Sequence, residues 1–233
     1  MDALVNELMK ELNCDTVFTI PVLGGIPVKE SVVVTWIIMA VILVLCIALT
    51  RNLSVENPSR GQIILETIVS GGHNFFKDTL GEHGAEYIPY LMTVTLYIGI
   101  ANLIGLLGFK PPTKDMNVTA ALAFMSIVLI EVAGIRQKGA KGWVKSFAEP
   151  IPIILPINIM EIFIKPLSLC MRLFGNVLGA FVIMELLKSL IPVVLPVPFS
   201  FYFDIFDGLI QAYVFVFLTI FVFIAGILLG GIG

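Results

Sequence analysis

Hydrophobic and polar positions are arranged along this chain in long blocks rather than in short alternation. Five blocks are mainly apolar and at least about as long as the roughly 20 residues that a helix needs to cross a bilayer. They cover residues 32–50, 88–109, 117–135, 149–190 and 199–232. The pattern predicts an all-α integral membrane protein with about five membrane-crossing helices, the first of them over residues 31–51.

The segment between the first two spans, residues 52–87, mixes polar and apolar residues. Asn57 before Pro58 is typical of a helix N-cap followed by proline at the first helical position. Apolar residues between positions 64 and 69 then recur at helical spacing, which predicts a short amphipathic helix. Two interpretations of this helix stay open. It lies on the membrane surface, or it is an ordinary cytoplasmic connector.

The fourth apolar tract is too long for one upright span. Its 42 residues, 149–190, would form a helix about 63 Å long, whereas the hydrocarbon core is about 30 Å thick. We therefore expect the tract to tilt strongly or to break, for example at Pro166, because proline removes a helical hydrogen bond. The prolines of PVVLPVP (192–198) predict a turn, so the last two long helices should form a strongly tilted hairpin.

Composition excludes several classes of protein. Apolar residues make up 58% and charged residues 13% of the chain, whereas soluble domains contain about 25% charged residues. The formal net charge of −3 gives no indication of nucleic-acid binding. The sequence lacks a glycine-rich phosphate loop, a Ser/His/Asp constellation and the spacing of metal ligands. We therefore predict no hydrolytic active site, no metal site and no cofactor.

Basic residues near the ends of the spans predict the orientation of the chain. The cluster RQKGAKGWVK, residues 136–145, follows directly after the third span. Loops on the cytoplasmic side are enriched in Lys and Arg, so we place this cluster inside. Five crossings then put residues 1–30 outside as an N-terminal tail, residues 52–87 in the cytoplasm and the C-terminus inside.

Arg172 lies deep in the fourth apolar tract, within SLCMRLFGN. A charged side chain at the centre of a membrane helix costs roughly 2.5–3.5 kcal/mol on insertion scales, and such residues are usually functional. At 100° per residue, most polar residues of the tract share one face with small residues. This stripe consists of Glu161, Lys165, Ser168, Arg172, Asn176 and Gly179. We expect the stripe to face protein or water, although a structural arginine that snorkels or pairs with a carboxylate is the alternative.

The last tract offers partners for this stripe. Asp204, Asp207 and Gln211 are spaced i, i+3 and i+7, which places them on one face of an α-helix. In an antiparallel hairpin, Gln211 should lie near the level of Arg172. Two ionisable clusters result, with Asp204, Asp207 and Glu185 toward the outer side, and Glu161 and Lys165 toward the inner side. One ionisable cluster on each side of a fixed positive charge is the pattern expected of two ion half-paths separated by an electrostatic barrier.

Three segments carry a resemblance to a known family. KPLSLCMRLFGN (165–176) closely resembles the signature of subunit a of the F-type rotary ATP synthases. PPTKDMNVT (111–119) resembles the loop before that family's third spanning helix, and DGLIQAYVFVFLT (207–219) resembles its last helix. The number and order of the spans agree with the family from about residue 88 onward, so residues 88–233 are interpreted as its ion-channel domain.

The resemblance implies a function and a set of residues. Subunit a is the stator half of the membrane ion channel and faces a rotating ring of c subunits, whose carboxylates carry H⁺ or Na⁺. Its arginine forces each ring carboxylate to release its ion and separates two offset half-channels. Arg172, Asn176 and Gln211 match the family's positions directly. The resemblance further implies that Asp115 and Asn117 lie along an outer loop path.

The resemblance also implies partners and a location. They are the c-subunit ring, the b-subunit peripheral stalk, the other F-type ATP synthase subunits and the lipid membrane, with no nucleic acid. We expect a multi-pass protein of the bacterial plasma membrane that is not an enzyme on its own, because catalysis belongs to a separate head. Whether the coupling ion is H⁺ or Na⁺ stays open at this stage.

The chain departs from the family pattern at three positions near the outer path. Many members carry a glutamate where this chain has Phe181, and the nearest carboxylate is Glu185, one turn later. Asp204 stands where some members have histidine, and Lys114 replaces a small polar residue. Two other functions remain as alternatives, namely a secondary transporter that binds an anionic substrate at Arg172 and a membrane scaffold without an ion path.

Overall fold

The structure is a computed structural model of the chain. It describes residues 16–21, 26–51, 53–54, 58–107, 109–147, 153, 155–190 and 196–228. Within these residues, five helices are long and apolar enough to cross a membrane. The predicted class, an all-α integral membrane protein with about five crossings, is therefore confirmed.

Seven α-helices follow one another in the described part of the chain, and shorter helical turns connect several of them. The α-helices are α1 (Glu30–Thr50), α2 (Arg60–Leu80), α3 (Ile88–Leu103), α4 (Met116–Ser146), α5 (Leu155–Leu190), α6 (Pro196–Ser200) and α7 (Gly208–Leu228). Three 3₁₀ turns cover Glu82–Tyr87, Ile104–Leu107 and Pro112–Lys114, and a π-helical segment covers Phe201–Asp207. The membrane-length helices are thus α1, α3, α4 and α5, together with α7 and the residues before it.

A β-hairpin precedes α1. Strand β1 (Thr16–Ile20) pairs antiparallel with strand β2 (Ile26–Lys29). The sequence analysis assigned residues 1–30 only as a tail, so this hairpin was missed. Its strands are rich in β-branched residues, which favour extended backbone. They are only five and four residues long, so the sequence analysis did not assign them.

Contacts at both ends of the helix bundle show which ends of the spans lie together. At one end, Ser31 Oγ at the start of α1 donates to Asp115 Oδ2 before α4 at 2.7 Å. At the opposite end, the rings of Tyr87 and Phe223 lie 4.9 Å apart, which joins the start of α3 to the end of α7. The core lies around α3, where Ile98 is fully buried. Exposed apolar side chains cover the outer faces of the spans, as expected in lipid.

The start of α2 differs from the prediction. Ser59 is the N-cap, since its hydroxyl accepts the backbone N–H of Gln62 at 3.2 Å, and the helix begins at Arg60. Pro58 therefore precedes the helix instead of opening it, and Asn57 lies outside the described residues. Ser is as good an N-cap as Asn, so Asn57 and Ser59 were both suitable N-cap residues. The location of α2 on a membrane surface stays a prediction.

The hairpin of the last two spans also differs in detail. Helix α5 continues through Pro166 without a break. Of the two expected alternatives, a strong tilt or a break at Pro166, the break is therefore absent. Its 36 residues correspond to about 54 Å, and its tilt stays a prediction. Pro196 and Pro198, assigned to a turn, lie in α6, because proline is tolerated in the first turn of a helix, where N–H groups have no partner. Residues 192–195 lie outside the described part.

Candidate functional site

A polar cavity of about 420 Å³ lies between α3, α5 and the segment from α6 to α7. Its wall contains two carboxylates, three side-chain amides and two lysines, although it lies among apolar membrane-length helices. The carboxylates and amides are those of Asp204, Asp207, Asn102, Asn176 and Gln211. The structure therefore brings together four residues that the sequence assigned to the ion path, and it adds Asn102.

The π-helical segment Phe201–Asp207 determines how the two carboxylates enter this cavity. A π-helix has more residues per turn than an α-helix and often marks a functional site. Ser200 Oγ donates to Asp204 Oδ2 at 2.6 Å, and Asp204 Oδ1 lies so near Gly105 that a Cβ added there would be 2.7 Å away. Asp207 instead contacts α5. The segment is thus π-helical and not α-helical as expected, but Asp204, Asp207 and Gln211 still line one cavity.

Asn176 joins the arginine helix to the last helix. Its Nδ2 donates to Asp207 Oδ2 at 2.7 Å and to Gln211 Oε1 at a longer 3.4 Å. Gln211 is buried, and its Nε2 has no hydrogen-bond partner among the described residues. A buried donor without a partner costs about 1–3 kcal/mol. The two N–H groups of the Gln211 amide therefore have no acceptor among the residues that the structure describes.

Arg172 is exposed on the face of α5 that points away from the bundle. Leu169, Cys170 and Leu173 are buried on an adjoining side of the helix, which fixes its rotation. Among the described residues, Arg172 makes no hydrogen bond and no ion pair. Gln211 was expected at the level of Arg172, but its bond to Asn176 places it one turn further along α5.

The stripe predicted on α5 continues from Arg172 toward the start of the helix. Ser168 is exposed, and Glu161 and Lys165 are half-buried. Lys165 Nζ and Glu161 Oε2 form an ion pair at 2.8 Å, one turn apart. At such a partly exposed position this pair contributes little to stability. The two residues thus neutralise each other, and the guanidinium of Arg172 remains the unpaired charge of the stripe within the described residues.

Asp115 is the N-cap of α4. Its Oδ1 accepts the backbone N–H and the side-chain amide of Asn117, both at 3.0 Å, while its Oδ2 accepts from Ser31. Burial disfavours the charged form, but these hydrogen bonds and the Lys29 ammonium at 3.7 Å outweigh it and lower the pKa of Asp115. Neither Asp115 nor Asn117 lines the cavity, so their assignment to an outer loop path stays a prediction.

Two of the residues that depart from the family pattern, Phe181 and Lys114, lie together on the α5 side of the cavity. Phe181 lines the cavity, and the ammonium of Lys114 lies 3.5 Å from the centre of its ring. Glu185 is part of α5, but its side chain lies outside the described part of the structure, so its predicted role is untested. Lys110 and Lys188 also line the cavity. The sequence analysis did not assign them, although both are charges flanking predicted spans.

Comparison with known proteins decides the family. A family model described as "ATP synthase A chain" matches residues 32–225, most of the chain. The chain belongs to the ATP synthase subunit a family. ATP synthase subunit a of Moorella thermoacetica is 38% identical over 199 residues, covering 85% of this chain and 90% of the relative. ATP synthase subunit a of Legionella pneumophila is 33% identical over 205 residues, covering 88% of each.

A further relative bears on the transported ion. The protein of Propionigenium modestum, named "ATP synthase subunit a, sodium ion specific", is 34% identical over 218 residues and covers 87% of this chain and 75% of the relative. Subunit a family membership and five apolar helices establish a multi-pass integral membrane protein with a role in ion transport and ATP synthesis. The resemblance inferred from the sequence motifs is confirmed.

Proposed function

We propose that this chain is the stator ion-channel subunit of an F-type ATP synthase. It provides two offset half-channels, and Arg172 forces ions off the carboxylates of a rotating c-subunit ring. Ion flow of H⁺ or Na⁺ is thereby coupled to rotation and to ATP synthesis in a separate catalytic head. The subunit itself makes and breaks no covalent bond.

One observation carries this proposal, namely the unpaired guanidinium of Arg172 on an exposed face of α5. A charge at that depth is stabilised when a counter-ion meets it from outside the chain. A carboxylate that approaches a fixed positive charge prefers its ionised form, because the opposite charge lowers its pKa. Arginine keeps its proton under all conditions, whereas a buried lysine can lose it. Arg172 is therefore suited to discharging ring carboxylates one at a time.

The polar cavity is assigned to the outer half-channel. It ends near Asn176, one turn from Arg172, and its carboxylates can receive a cation from the aqueous side. Asp204, Asp207 and Glu185 bind the ion in sequence, and Asn176 and Gln211 deliver it toward the ring. The inner half-channel follows the other part of the stripe, past Ser168 to Glu161. The Arg172 guanidinium separates the two paths, since a free cation cannot pass it without electrostatic repulsion.

Partners and location follow from this role. The exposed face of α5 meets the c-subunit ring, and the b-subunit peripheral stalk holds the chain still against the other F-type ATP synthase subunits. We place the protein in the bacterial plasma membrane with the N-terminus outside and the C-terminus in the cytoplasm. Residues 1–30 are the outer tail, 31–51 the first span, 52–87 the cytoplasmic connector and 88–233 the ion-channel domain.

Substitution of Arg172 in the assembled complex tests the proposal. Arg172→Ala should abolish ion-driven ATP synthesis while the complex still assembles. Arg172→Lys should also fail, because lysine lacks the guanidinium fork and can release its proton. Arg136→Ala is the matched control, since Arg136 is an exposed arginine of α4 outside the proposed paths, and it should retain synthesis. Near-normal synthesis in assembled Arg172→Ala complexes would contradict the proposed function.

A further inference from the structure

The junction between the π-helical segment and α7 is held by a side chain from another helix. The segment ends at Asp207, and α7 begins at Gly208. Asn102 of α3 donates its Nδ2 to the backbone carbonyl of Gly208 at 3.0 Å. At such a junction the spacing of the backbone hydrogen bonds changes from i+5 to i+4. The hydrogen bond from Asn102 to the Gly208 carbonyl therefore fixes the residue at which π-helical spacing gives way to α-helical spacing.

Asn102 is itself held in place. Thr113 Oγ1, in the buried turn before α4, donates to Asn102 Oδ1 at 3.1 Å. Thr113 is fully buried and Asn102 nearly so. This Thr113–Asn102–Gly208 chain orients the amide so that its N–H group points at α7. The orientation needs one acceptor and one donor on the same short side chain, which an apolar residue of similar size does not have.

The approach of the two helices is also close at this point. A Cβ added to Gly208 would lie 2.9 Å from the Cβ of Asn102, which is shorter than an ordinary carbon–carbon contact. Glycine at position 208 is therefore required by the contact with α3. Close packing and the hydrogen bond together leave α7 little freedom to rotate against α3 at the bottom of the cavity.

We propose that Asn102 is a positioning residue of the outer path, which holds the π-helical segment in the register that aims Asp204 and Asp207 into the cavity. If one residue of the segment passed from π-helical to α-helical spacing, the residues before the junction would rotate by about 100° relative to α7. Asp204 would then leave its place beside Gly105. The inference rests on the proposed function, because it assigns these carboxylates to ion capture.

The test measures ion dependence in the assembled and reconstituted complex. The rate of ion-driven ATP synthesis is recorded while the outer pH and the outer Na⁺ concentration are varied separately. Thr113→Val removes one buried hydrogen bond and conserves shape, so the half-saturating ion concentration should rise by about fivefold. Thr113→Ser keeps the hydroxyl and should behave as the wild type. Asn102→Leu removes both bonds and should shift the half-saturating concentration further, while the rate at saturating ion falls much less.

A purely structural role would give another result. Loss of stability alone lowers the amount of assembled complex and leaves the half-saturating concentration per complex unchanged. If Asn102→Leu does not assemble, the Thr113→Val and Thr113→Ser pair decides the question. A wild-type half-saturating concentration in Thr113→Val overturns the inference. The result is independent of the Arg172→Ala experiment, so synthesis lost in Arg172→Ala with unchanged ion dependence in Thr113→Val refutes the positioning role and leaves the proposed function standing.

Discussion

The side-chain amide of Asn176 donates to the carboxylate of Asp207 at 2.7 Å across the interface of α5 and α7. Hydrogen bonds to an ionised acceptor are about twice as strong as neutral ones, so this bond orients the Asp207 carboxylate. Asn176 is one helical turn from Arg172 on the same stripe of α5. The carboxylate is therefore held at the end of the cavity that is nearest to the unpaired guanidinium.

The first prediction concerns this carboxylate. Asp207→Asn conserves the shape of the side chain but removes its charge and turns the strong bond to Asn176 into a neutral one. We expect ion translocation at low ion concentration to fall about tenfold, as for the loss of a bond worth about 1.5 kcal/mol. Reconstituted complexes with a pH-sensitive or a Na⁺-sensitive dye inside the vesicles would measure this rate for either ion. Asp78→Asn, at an exposed aspartate of α2, serves as the control and should leave the rate unchanged.

The second prediction concerns the side-chain NH₂ group of Gln211, which has no hydrogen-bond partner among the described residues. In the complex, its amide can accept from the guanidinium of Arg172 or donate to a ring carboxylate. Gln211→Leu should therefore impair ATP synthesis more than Gln211→Asn, which retains a shorter amide. The measurement is the ratio of ATP made to ions translocated in the two variants. Wild-type ratios in both variants would remove Gln211 from the mechanism.

Sequence reasoning singled out four residues that line the cavity, Asn176, Asp204, Asp207 and Gln211, because several polar residues recur at helical spacing within apolar tracts. Arg172, Asn176 and Gln211 stand out because polar side chains are costly in a membrane, and spacing at 100° per residue grouped Arg172 with Asn176 on α5. The same reasoning did not predict the π-helical form of the segment before α7. A π-helical turn has no distinct sequence pattern, so the relation between Asp204 and Asp207 required the structure.

The residues from α3 and its following loop were missed for a different reason. Asn102 is a single polar residue within a predicted span, and such a residue is equally compatible with packing and with function. Its partners are Thr113, eleven residues away, and Gly208, 106 residues away. Contacts at those separations depend on how the helices pack, which hydrophobic periodicity does not encode. The β-hairpin before α1 was missed because its strands are only five and four residues long.

The third prediction concerns the wall of the cavity that contains Phe181. Glu185 is four residues later and lies on nearly the same face of α5, so a carboxylate moved there from position 181 changes depth by about 6 Å. If Glu185 supplies the carboxylate of the outer path, Glu185→Gln should slow ion translocation severalfold. The double variant Glu185→Gln with Phe181→Glu should restore part of the rate.

The alternative for Glu185 is that it extends toward the outer headgroups near Lys188. In that case Glu185→Gln would translocate ions at the wild-type rate at every driving force, and Phe181→Glu would bring no gain. Phe181→Leu is the matched control for the double variant, because it removes the ring without adding a carboxylate. The ring also covers the Lys114 ammonium, so this control separates loss of that contact from gain of an acid.

The last prediction concerns Asp115, whose carboxylate caps α4 and connects it to the start of α1. Asp115→Ala removes the cap and the acceptor of Ser31, and an N-cap loss costs about 0.5–2 kcal/mol. Asp115→Asn keeps a capping oxygen and loses only the charge. Because the fold lowers the pKa of Asp115 below its usual 3.8, the ionised carboxylate stabilises the folded state at neutral pH. That contribution is fully present above the usual value and disappears as the pH falls through the lower, folded-state pKa.

Thermal unfolding of the detergent-solubilised complex, recorded between neutral pH and about pH 3, measures this effect. The wild type should be more stable than Asp115→Asn at neutral pH, and the two curves should converge as the pH falls below the usual aspartate range. Asp115→Ala should remain the least stable throughout, since a missing cap does not depend on pH. If the difference between wild type and Asp115→Asn stayed constant to the acid end, the charge of Asp115 would not contribute and its cap alone would explain the contact with Ser31.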